Sequence, residues 1–428
     1  MLASLRLHEL FLQRRERLTS VMREMGVPAV LTADPVNVVY ATGARNMTVH
    51  GMTGPDRLVF HIVGGPTVLY EWGGCEHLPV GLPTIDEVRE TPGLSAKKTP
   101  LWRENIEQFA NEIASDCRQH LDHGSMMLAV ERLDFPVTDA LRACGIDLID
   151  ATSIFQAAGM IKQPLEIEVM RYAVQRVEAA TRELETRIAP GASENEVWAE
   201  FHRGLIARDG EYVVARLLQS GVRTFPYFQE SSDHVLAAGD LVCFDTDAVG
   251  YLNYGVDFSR TFLCGEGSPT PIQQELYRIA VAQLEHNAAN LAAGTSFEDF
   301  ARNAYPVPPA YRDHGYYQLA HGLGLLGGHP NIPRAGNGAY RLAGEIEPGM
   351  VLCVESYVGD PVSRQGVKLE DQFLIHATSV EPLSTYHFDA RLLGHRPPDS
   401  GRQAMPAHGA SGLELPAVGG PSLTTGRG

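Results

Sequence analysis

An acidic segment near the middle of the chain carries the first candidates for chemistry. The run LVCFDTDAVGYLNYGVDFSRTF, residues 241–262, has the pattern of two β-strands that flank a turn. Alternation places Asp245 and Asp247 on one face of the first strand, and a hairpin brings Asp257 on the second strand towards them. Neighbouring carboxylates repel each other unless a cation or protons intervene. Because Arg260 alone cannot neutralise three acids, the segment predicts a metal site rather than a salt bridge.

Three later segments supply further ligand types. His321 lies in the glycine-rich run LAHGLGLLGGHP, Glu355 is the only charge in MVLCVESYV, and Glu370 lies in the strand-like GVKLEDQFLI. Each alone has a structural alternative, since a single histidine or a strand glutamate is often a packing residue, but a lone acid in a buried strand needs a partner. Together with two aspartates they form an oxygen-rich set with one imidazole. Such a set suits one or two divalent ions such as Mn, Fe, Co or Zn.

The elements that must position these residues fall into two predicted domains and a tail. Residues 1–158 alternate between helical and strand patterns, with an amphipathic helix over residues 2–25, the β-rich run PAVLTADPVNVVYATG and a hairpin at Gly64-Gly65. Residues 159–395 carry all the candidate metal ligands. Residues 396–428, rich in Gly, Pro, Ala and Ser without periodicity, predict a disordered tail.

The second domain contains the signs of an internal repeat. Pro164 begins a long helix with an apolar seam, and a second helix follows a Gly-containing turn. About a hundred residues later another long helix, from Pro271, is again followed by a turn, a short helix and strand-like sequence. The pattern favours a duplicated unit, although any two helical hairpins share these features.

Composition limits the class of protein. The chain has 428 residues, 44% of them hydrophobic, and its net charge of −17 argues against a nucleic-acid partner. Its apolar runs are too short to span a membrane, and charges near the N-terminus argue against a signal peptide. The six cysteines lack CxxC spacing, which is typical of free thiols in a reducing compartment. We therefore expect a cytoplasmic enzyme with a small-molecule substrate.

The order Asp, Asp, His, Glu, Glu, with DFSRTF, HGLG and KLEDQ, resembles the pita-bread family of aminopeptidase P, prolidase, methionine aminopeptidase and creatinase. The resemblance covers about residues 5–395. It implies an α/β creatinase-like N-terminal domain, an α+β pita-bread C-terminal domain with a pseudo-twofold repeat, and a homodimer. It also implies a metal-dependent hydrolase or lyase in which Asp257 and Glu370 bridge two ions. Asp247 would complete one ion, and His321 with Glu355 the other.

The sequence departs from the peptidases of this family at three places. Tyr227, in SGVRTFPYF, stands where the peptidases carry a histidine. Gly328 stands at the place of their second active-site histidine, and His329 follows one residue late. Ser356-Tyr357 follows Glu355 in place of the usual Pro-Gly. These differences weaken the prediction of a peptidase.

Other segments resemble the dimethylsulfoniopropionate lyase branch of the same fold, namely ARLLQSGVRTFPYFQE, CFDTD, VKLEDQFLI and FDARLLG. The doubled acids Asp245 and Asp247 are a mark of that branch and both belong to its metal site, and Tyr316 matches a tyrosine that contacts substrate there. Two features differ. Gly327 replaces the catalytic aspartate of the lyases, and His50 stands at about the place of a tryptophan that packs on the sulfonium.

The main hypothesis is a metal-dependent enzyme of the lyase-like branch that cleaves a small polar substrate other than dimethylsulfoniopropionate. Tyr316 and His329 are its candidate acid–base residues. An equally good interpretation is that each only packs against the substrate or lies at the surface. His50, Arg223 and Tyr227 are candidate substrate-binding residues. A second hypothesis is an Xaa-Pro dipeptidase, aminopeptidase or amidohydrolase in which His329 and His314 replace the displaced histidines. A third is a non-catalytic relative that kept the fold.

Overall fold

The computed structural model describes residues 4–121, 126–325, 327–335 and 343–394. The tail predicted for residues 396–428 lies outside this part of the chain. Among the described residues, no helix combines the length and the apolar character needed to cross a bilayer. All six cysteines are described, and none of them forms a disulfide.

A mixed sheet forms from the first 150 residues. Its strands are β1 (Ala29–Thr32), β2 (Leu58–Ile62), β3 (Thr67–Glu71), β4 (Glu87–Glu90), β5 (Met127–Glu131) and β6 (Asp147–Asp150). Its helices are α1 (Ser4–Glu24), α2 (Pro35–Thr42), α3 (Thr48–Gly51), α4 (Trp102–His120), α5 (Phe135–Ala143) and α6 (Thr152–Met160). The strand order is β4-β3-β2-β1-β5-β6, and β2 and β3 form the hairpin expected at the paired glycines. The expected α/β pattern is therefore present.

The prediction that the run PAVLTADPVNVVYATG is β-rich throughout is wrong for its second half, because Pro35–Thr42 form helix α2. Asp34 caps this helix, because its carboxylate accepts hydrogen bonds from the backbone N–H groups of Val36 and Asn37. Proline at the first helical position supplies a preset φ, and Gly43 ends the helix at φ 78°. The terminal signals thus override the β-propensity of the intervening valines.

The remaining chain builds an antiparallel sheet with helices packed on it. The helices are α7 (Pro164–Arg187), α8 (Glu194–Ile206), α9 (Pro271–Ala289) and α10 (Phe297–Arg302). The strands are β7 (Tyr212–Val213), β8 (Leu218–Ser220), β9 (Leu241–Asp245), β10 (Ala248–Val249), β11 (Gly255–Val256), β12 (Ser259–Leu263), β13 (Gln318–Leu323), β14 (Gly327–Pro333), β15 (Val351–Asp360), β16 (Gln365–Ile375) and β17 (Val380–Pro382). The large sheet has the order β14-β13-β15-β16-β12-β9-β8, with β17 on β16, and β11-β10-β7 form a small sheet.

The two helical pairs cover this sheet in corresponding ways. Helices α7 and α8 pack against one another and bury their apolar faces with β9, whereas α9 and α10 share a second core with β13, β15 and β16. Each pair is a long helix, a turn and a shorter helix, as the internal repeat predicts. The boundary at residues 158/159 stays a prediction; these residues lie near the end of α6, which ends at Met160, and α7 begins at Pro164.

One buried histidine makes the stability of the first sheet depend on pH. His61 on β2 hydrogen-bonds through its two ring nitrogens to the hydroxyls of Thr19 and Thr67, and burial lowers its pKa to about 4. The His61 side chain therefore takes up a proton near pH 6.5 in the unfolded chain but only near pH 4 in the native state. Its contribution to the free energy of unfolding is fully present above pH 6.5 and is lost as the pH falls from 6.5 to 4.

We expect the wild-type protein to lose about 2 kcal/mol more unfolding free energy than His61→Gln between pH 7.5 and pH 5. Urea titrations of both proteins at the two pH values measure this difference. The metal-free form of each protein serves for the comparison, so that the other acids titrate alike in both. Equal losses in the two proteins would show that His61 does not carry the effect.

Candidate metal centre

The hairpin that carries the aspartates bends where it leaves the large sheet. Strand β9 ends at Asp245, which pairs with Ser259 at the start of β12, and beyond them β10 and β11 pair within the small sheet. The Thr246 hydroxyl holds the bend, because it donates to the carbonyl of Val256 at 2.9 Å and accepts from the N–H of Phe258 at 3.0 Å. The strand ladder is thus interrupted where the acids lie.

Asp247 and Asp257 occupy the two sides of this bend. The prediction that Asp247 continues the first strand beside Asp245 is wrong, because β9 ends at Asp245 and Asp247 has a left-handed backbone with φ 37°. Asp257 lies between β11 and β12. Both acids nevertheless line the same cavity, so the hairpin does bring them to one place.

Neighbouring strands present the other three candidate ligands. His321 on β13 pairs in register with Cys353 on β15, and Glu355, two residues along β15, pairs with Glu370 on β16. Because side chains two residues apart on a strand share a face, Cys353 and Glu355 face the same side of the sheet. The antiparallel register therefore collects residues that are up to 49 positions apart in the chain.

The tips of three candidate ligands converge on the imidazole of the fourth, His321. Its Nε2 lies 3.5 Å from Oδ2 of Asp257, 3.4 Å from Oε1 of Glu355 and 3.3 Å from Oε1 of Glu370. All four side chains are at most 12% exposed. One nitrogen surrounded by three carboxylate oxygens is the donor set of a hard or borderline divalent ion.

The opposite oxygens of the two glutamates face a lysine. Nζ of Lys368 lies 2.6 Å from Oε2 of Glu355, 2.7 Å from Oε2 of Glu370 and 3.1 Å from Oδ2 of Asp245. It also donates to the Ser259 hydroxyl at 2.7 Å. The acids therefore surround two adjacent points, one beside His321 and one at the ammonium group.

Burial and mutual repulsion shift the proton equilibria of the acids. Burial, with Asp245 nearby, raises the pKa of Asp247 to about 8. Burial and the Glu370 carboxylate hold the pKa of Asp257 well above its usual range. Burial lowers the pKa of His321, but the Glu355 and Glu370 carboxylates outweigh it, so the net shift is upward. Such a cluster favours positive charge, whether from protons or from a metal ion.

The residues present fit a divalent ion. Oδ1 of Asp245 and Oδ1 of Asp257 are buried, and neither has a hydrogen-bond donor within the part of the chain that the structure describes. A buried carboxylate oxygen without a donor is costly, and a metal ion removes that cost. One ligand atom each from Asp257, His321, Cys353 and Glu370 lies within 4.8 Å of the others. Cys353 is not among the sequence-predicted ligands, although its position two residues before Glu355 places it on the same strand face.

A cavity of about 530 Å³ opens beside these ligands. Its described lining includes the acids and bases Asp245, Asp247, Asp257, His321, Glu355, Lys368 and Glu370, and also Phe228, Tyr316, Gly327, Gly328 and His329. The two candidate acid–base residues therefore face the same space as the metal ligands. Burial and the Glu355 carboxylate raise the pKa of Tyr316, so it stays protonated, whereas burial lowers the pKa of His329, so its imidazole stays neutral.

Phe228 and Tyr316 line the cavity, whereas Tyr227 lies outside its described lining and contacts Asp245 and Tyr316. The Tyr227 hydroxyl donates a hydrogen bond to Oδ2 of Asp245, and its ring lies edge-on to Tyr316, with 5.6 Å between the centroids. Phe228, which the sequence analysis did not single out, stacks parallel to Tyr316 at 6.1 Å. The Lys368 ammonium lies 5.4 Å and 5.9 Å from the ring centroids of Tyr227 and Tyr316.

Two predicted substrate-binding residues, His50 and Arg223, are not among the described residues that line the cavity. His50 is half exposed, packs edge-on against Trp72 at 4.6 Å and is not among the described residues that line the cavity. Arg223 donates to both carboxylate oxygens of the fully buried Glu194 and to the carbonyl of Glu230. Its guanidinium is therefore engaged in a structural ion pair within the described chain.

Comparisons with known proteins agree with this geometry. The family profile "Metallopeptidase family M24" matches residues 168–377. Dimethylsulfoniopropionate lyase DddP of Roseobacter denitrificans is 31% identical over 393 residues, which cover 89% of this chain and 87% of the relative. Xaa-Pro dipeptidase of Pyrococcus furiosus is 25% identical over 386 residues, or 87% of this chain and 97% of the relative.

Solved structures have the same fold. The prolidase from Pyrococcus horikoshii superposes with a TM-score of 0.70 at 21% identity, over 88% of this chain and 99% of that one. The Xaa-Pro dipeptidase from Bacillus anthracis superposes with a TM-score of 0.70 over 89% of this chain. The resemblance to the pita-bread enzymes, and with it the predicted two-part architecture, is confirmed.

Proposed function

The chain belongs to metallopeptidase family M24 and is a metal-dependent hydrolase or lyase, and from that premise we propose that it cleaves a small polar substrate at the cavity above His321. The observation that carries the proposal is the convergence of three carboxylate oxygens within 3.5 Å of His321 Nε2. Bound divalent ions supply Lewis-acid polarisation and an activated water in such sites. The proposed ligands are Asp247, Asp257, His321, Glu355 and Glu370, and Asp245 is the fifth acid of the site.

The lyase-like branch is the assignment that we favour. The 31% identity to dimethylsulfoniopropionate lyase DddP exceeds the 25% identity to the Xaa-Pro dipeptidase over a similar length. Tyr227 stands in place of a peptidase histidine, and its hydroxyl donates a hydrogen bond to Oδ2 of Asp245, so a phenol takes the place of the imidazole. Gly327 lies at the place of the lyase base, however, so we propose a substrate other than dimethylsulfoniopropionate.

His329 is the proposed base and Tyr316 the proposed hydrogen-bond donor. Both line the cavity, and the two pKa shifts suit these roles, because a neutral imidazole accepts a proton and a protonated phenol donates one. Tyr227 and Phe228 would bound the substrate on the aromatic side. The resemblance implies two ions, which Asp257 and Glu370 would hold jointly, and Mn, Fe, Co or Zn would all suit the donors. A cytoplasmic homodimer is the assembly that we propose.

Hydrolysis of an Xaa-Pro dipeptide or another amide is the second candidate. It is favoured by the position of His329, which lines the metal cavity one residue beyond the place of the peptidase histidine. His314 supports it less, since its ring packs edge-on against Phe225 and lies in a neighbouring aromatic pocket.

A substrate panel with matched metal-loaded and chelator-stripped protein tests the proposal. The panel holds small carboxylates, amides, Xaa-Pro dipeptides and dimethylsulfoniopropionate, each followed by mass spectrometry. We expect at least one small polar substrate to be cleaved by the loaded protein alone, and elemental analysis to find a divalent metal in it. Protein that binds no divalent metal, or cleavage that survives complete metal removal, would contradict the proposal.

The two neighbouring aspartates should differ in their contribution to metal binding. Oδ2 of Asp245 is already held by Lys368 and Tyr227, whereas Asp247 lines the cavity beside the other proposed ligands. We expect Asp245→Ala to weaken metal binding by no more than the roughly 10–100-fold that outer ligand partners contribute, and Asp247→Ala to weaken it more. Isothermal titration with Mn²⁺ measures both constants. The reverse ranking would assign the ligand to Asp245.

A further inference from the structure

The first sheet changes its direction of growth between two parallel strands. Strands β1 and β5 are parallel neighbours, and the chain continues from β1 to β2 on one side and from β5 to β6 on the other. Helix α2, which follows β1, packs on the face that holds Val30, whereas α5, which follows β5, packs on the face that holds Leu31. In open α/β sheets such a reversal leaves a crevice beyond the carboxyl ends of the strands, where ligands commonly bind.

A cavity of about 260 Å³ occupies this crevice and is continuous with the metal cavity. Asp34 and Asn37, which follow β1, and Glu131, the last residue of β5, are among its lining residues. Several described residues line both cavities, namely Gln156, Leu323, Gly327, Gly328 and His329. A molecule held at the metal centre therefore has a path past His329 into the crevice.

Glu131 is a half-buried acid of the crevice without a cationic partner. It belongs to no ion pair among the residues that the structure describes, and burial raises its pKa. Its Oε2 accepts hydrogen bonds from the Thr32 hydroxyl at 2.9 Å and from the Asn37 amide at 2.7 Å. The hydroxyl of Thr152, which also lines the crevice, donates to Asp150 instead. These contacts hold the carboxylate in place and leave its Oε1 available to a ligand.

The two other charged side chains of the described lining are already engaged. Oδ1 of Asp34 caps helix α2, and its Oδ2 lies 3.1 Å from Nη1 of Arg132. Nζ of Lys162 donates to two carbonyls at the end of α6, at 2.7 Å and 3.1 Å. The charge of Glu131 is therefore left without a counter-ion. A cation that donates hydrogen bonds is the ligand that complements such a carboxylate.

We propose that the crevice is a second substrate subsite, in which Glu131 binds a primary ammonium group of the substrate. This inference rests on the proposed function, because the other end of the same molecule would occupy the metal cavity. The substrate class is then an extended molecule with a carboxylate or carbonyl group at one end and an ammonium group at the other. An N–H of that ammonium group donates to Oε1 of Glu131.

Binding of matched ligand pairs tests this assignment without turnover. Protein loaded with Mn²⁺ is titrated by calorimetry with a homologous series of straight-chain carboxylates, each with and without a terminal primary ammonium group. We expect a chain length at which the ammonium compound binds about 10–100-fold more tightly than its partner, which is the factor that one hydrogen bond between charged groups contributes.

Two variants test whether the ammonium group lies in the crevice. Glu131→Gln keeps the shape of the side chain and removes its charge. Gly159→Leu fills the crevice, because Gly159 lines it but not the metal cavity, and a Cβ added there has nothing within 4 Å among the described atoms. We expect the two members of each ligand pair to bind equally in both variants. Glu90→Gln is the matched control and should keep the wild-type preference, since this exposed acid ends β4 at the far edge of the same sheet.

The outcomes separate this inference from the proposed function. Equal binding of both members of every pair in the wild type, or a preference for the ammonium compound that survives in either variant, would overturn the inference. Failure of every carboxylate to bind protein that elemental analysis shows to hold Mn²⁺ would overturn it as well and leave the metal centre intact. Protein that holds no divalent metal would overturn the proposed function, and this inference with it. If circular dichroism shows that Glu131→Gln is unfolded, the wild-type pairs and Gly159→Leu still decide the question.

Discussion

Asp257→Ala is expected to abolish turnover and metal binding together. Its Oδ2 lies 3.5 Å from His321 Nε2, and its Oδ1 is buried without a donor among the described residues, so both oxygens are available to ions. A residue that contacts the metal should lower affinity by more than the roughly 10–100-fold that outer partners contribute. Elemental analysis after dialysis, and turnover of any substrate that the panel identifies, measure the two losses.

The same substitution should not destabilise the metal-free protein. Burial and neighbouring acids hold the pKa of Asp257 well above its usual range, which means that its charged form is unfavourable where it lies. Removing it relieves repulsion, so metal-free Asp257→Ala should unfold at no lower urea concentration than metal-free wild type. Asp360→Ala is the control, because that buried aspartate accepts hydrogen bonds from the N–H groups of Val362 and Ser363, away from the cavity. Lost activity with unchanged metal content would show that Asp257 is not a ligand.

Short local patterns in the sequence were sufficient to predict several strands and helix starts. The strand-like apolar runs around Glu355 and Glu370 predicted that both residues lie on strands, and the register of the sheet pairs them directly. Pro164 predicted the beginning of α7, and the structure adds a capping box there between Gln163 and Glu166. Local rules of this kind need no knowledge of the rest of the fold.

Other features depend on contacts that no local pattern contains. The hairpin bends at Asp247 because Thr246 bonds across it, and a strand pattern cannot show where a ladder is interrupted. Lys368 shares a strand face with Glu370, but its position among three acids follows only from the packing of β9, β15 and β16. For the same reason His50 and Arg223 could be proposed as binding residues before their partners, Trp72 and Glu194, were known.

The protein is expected to be a poor dimethylsulfoniopropionate lyase in spite of its 31% identity to such an enzyme. Removal of a carbon-bound proton needs a positioned base, and general base catalysis typically contributes about 10²–10⁴-fold. Gly327 supplies no base where the lyases carry an aspartate. His50, at about the place of their tryptophan, is half exposed and outside the described lining of the cavity, so it provides no aromatic plane for a sulfonium within one chain. Dimethyl sulfide release from metal-loaded protein, followed by gas chromatography, measures the activity.

Gly327→Asp should restore part of that activity, because the position has room for a side chain. A Cβ added at Gly327 would have only Nδ1 of His321 within 4.0 Å among the described atoms, which is an ordinary contact. The new carboxylate would face the cavity that holds the metal ligands, and we expect dimethyl sulfide release to rise by about 10²-fold, the lower end of a general-base contribution. Gly267→Asp, in a loop outside the cavity with open space around its Cβ, is the matched control and should change nothing. Wild-type release at rates ordinary for enzymes would show instead that His329 or Tyr316 already serves as the base, and that the missing aspartate does not set the substrate.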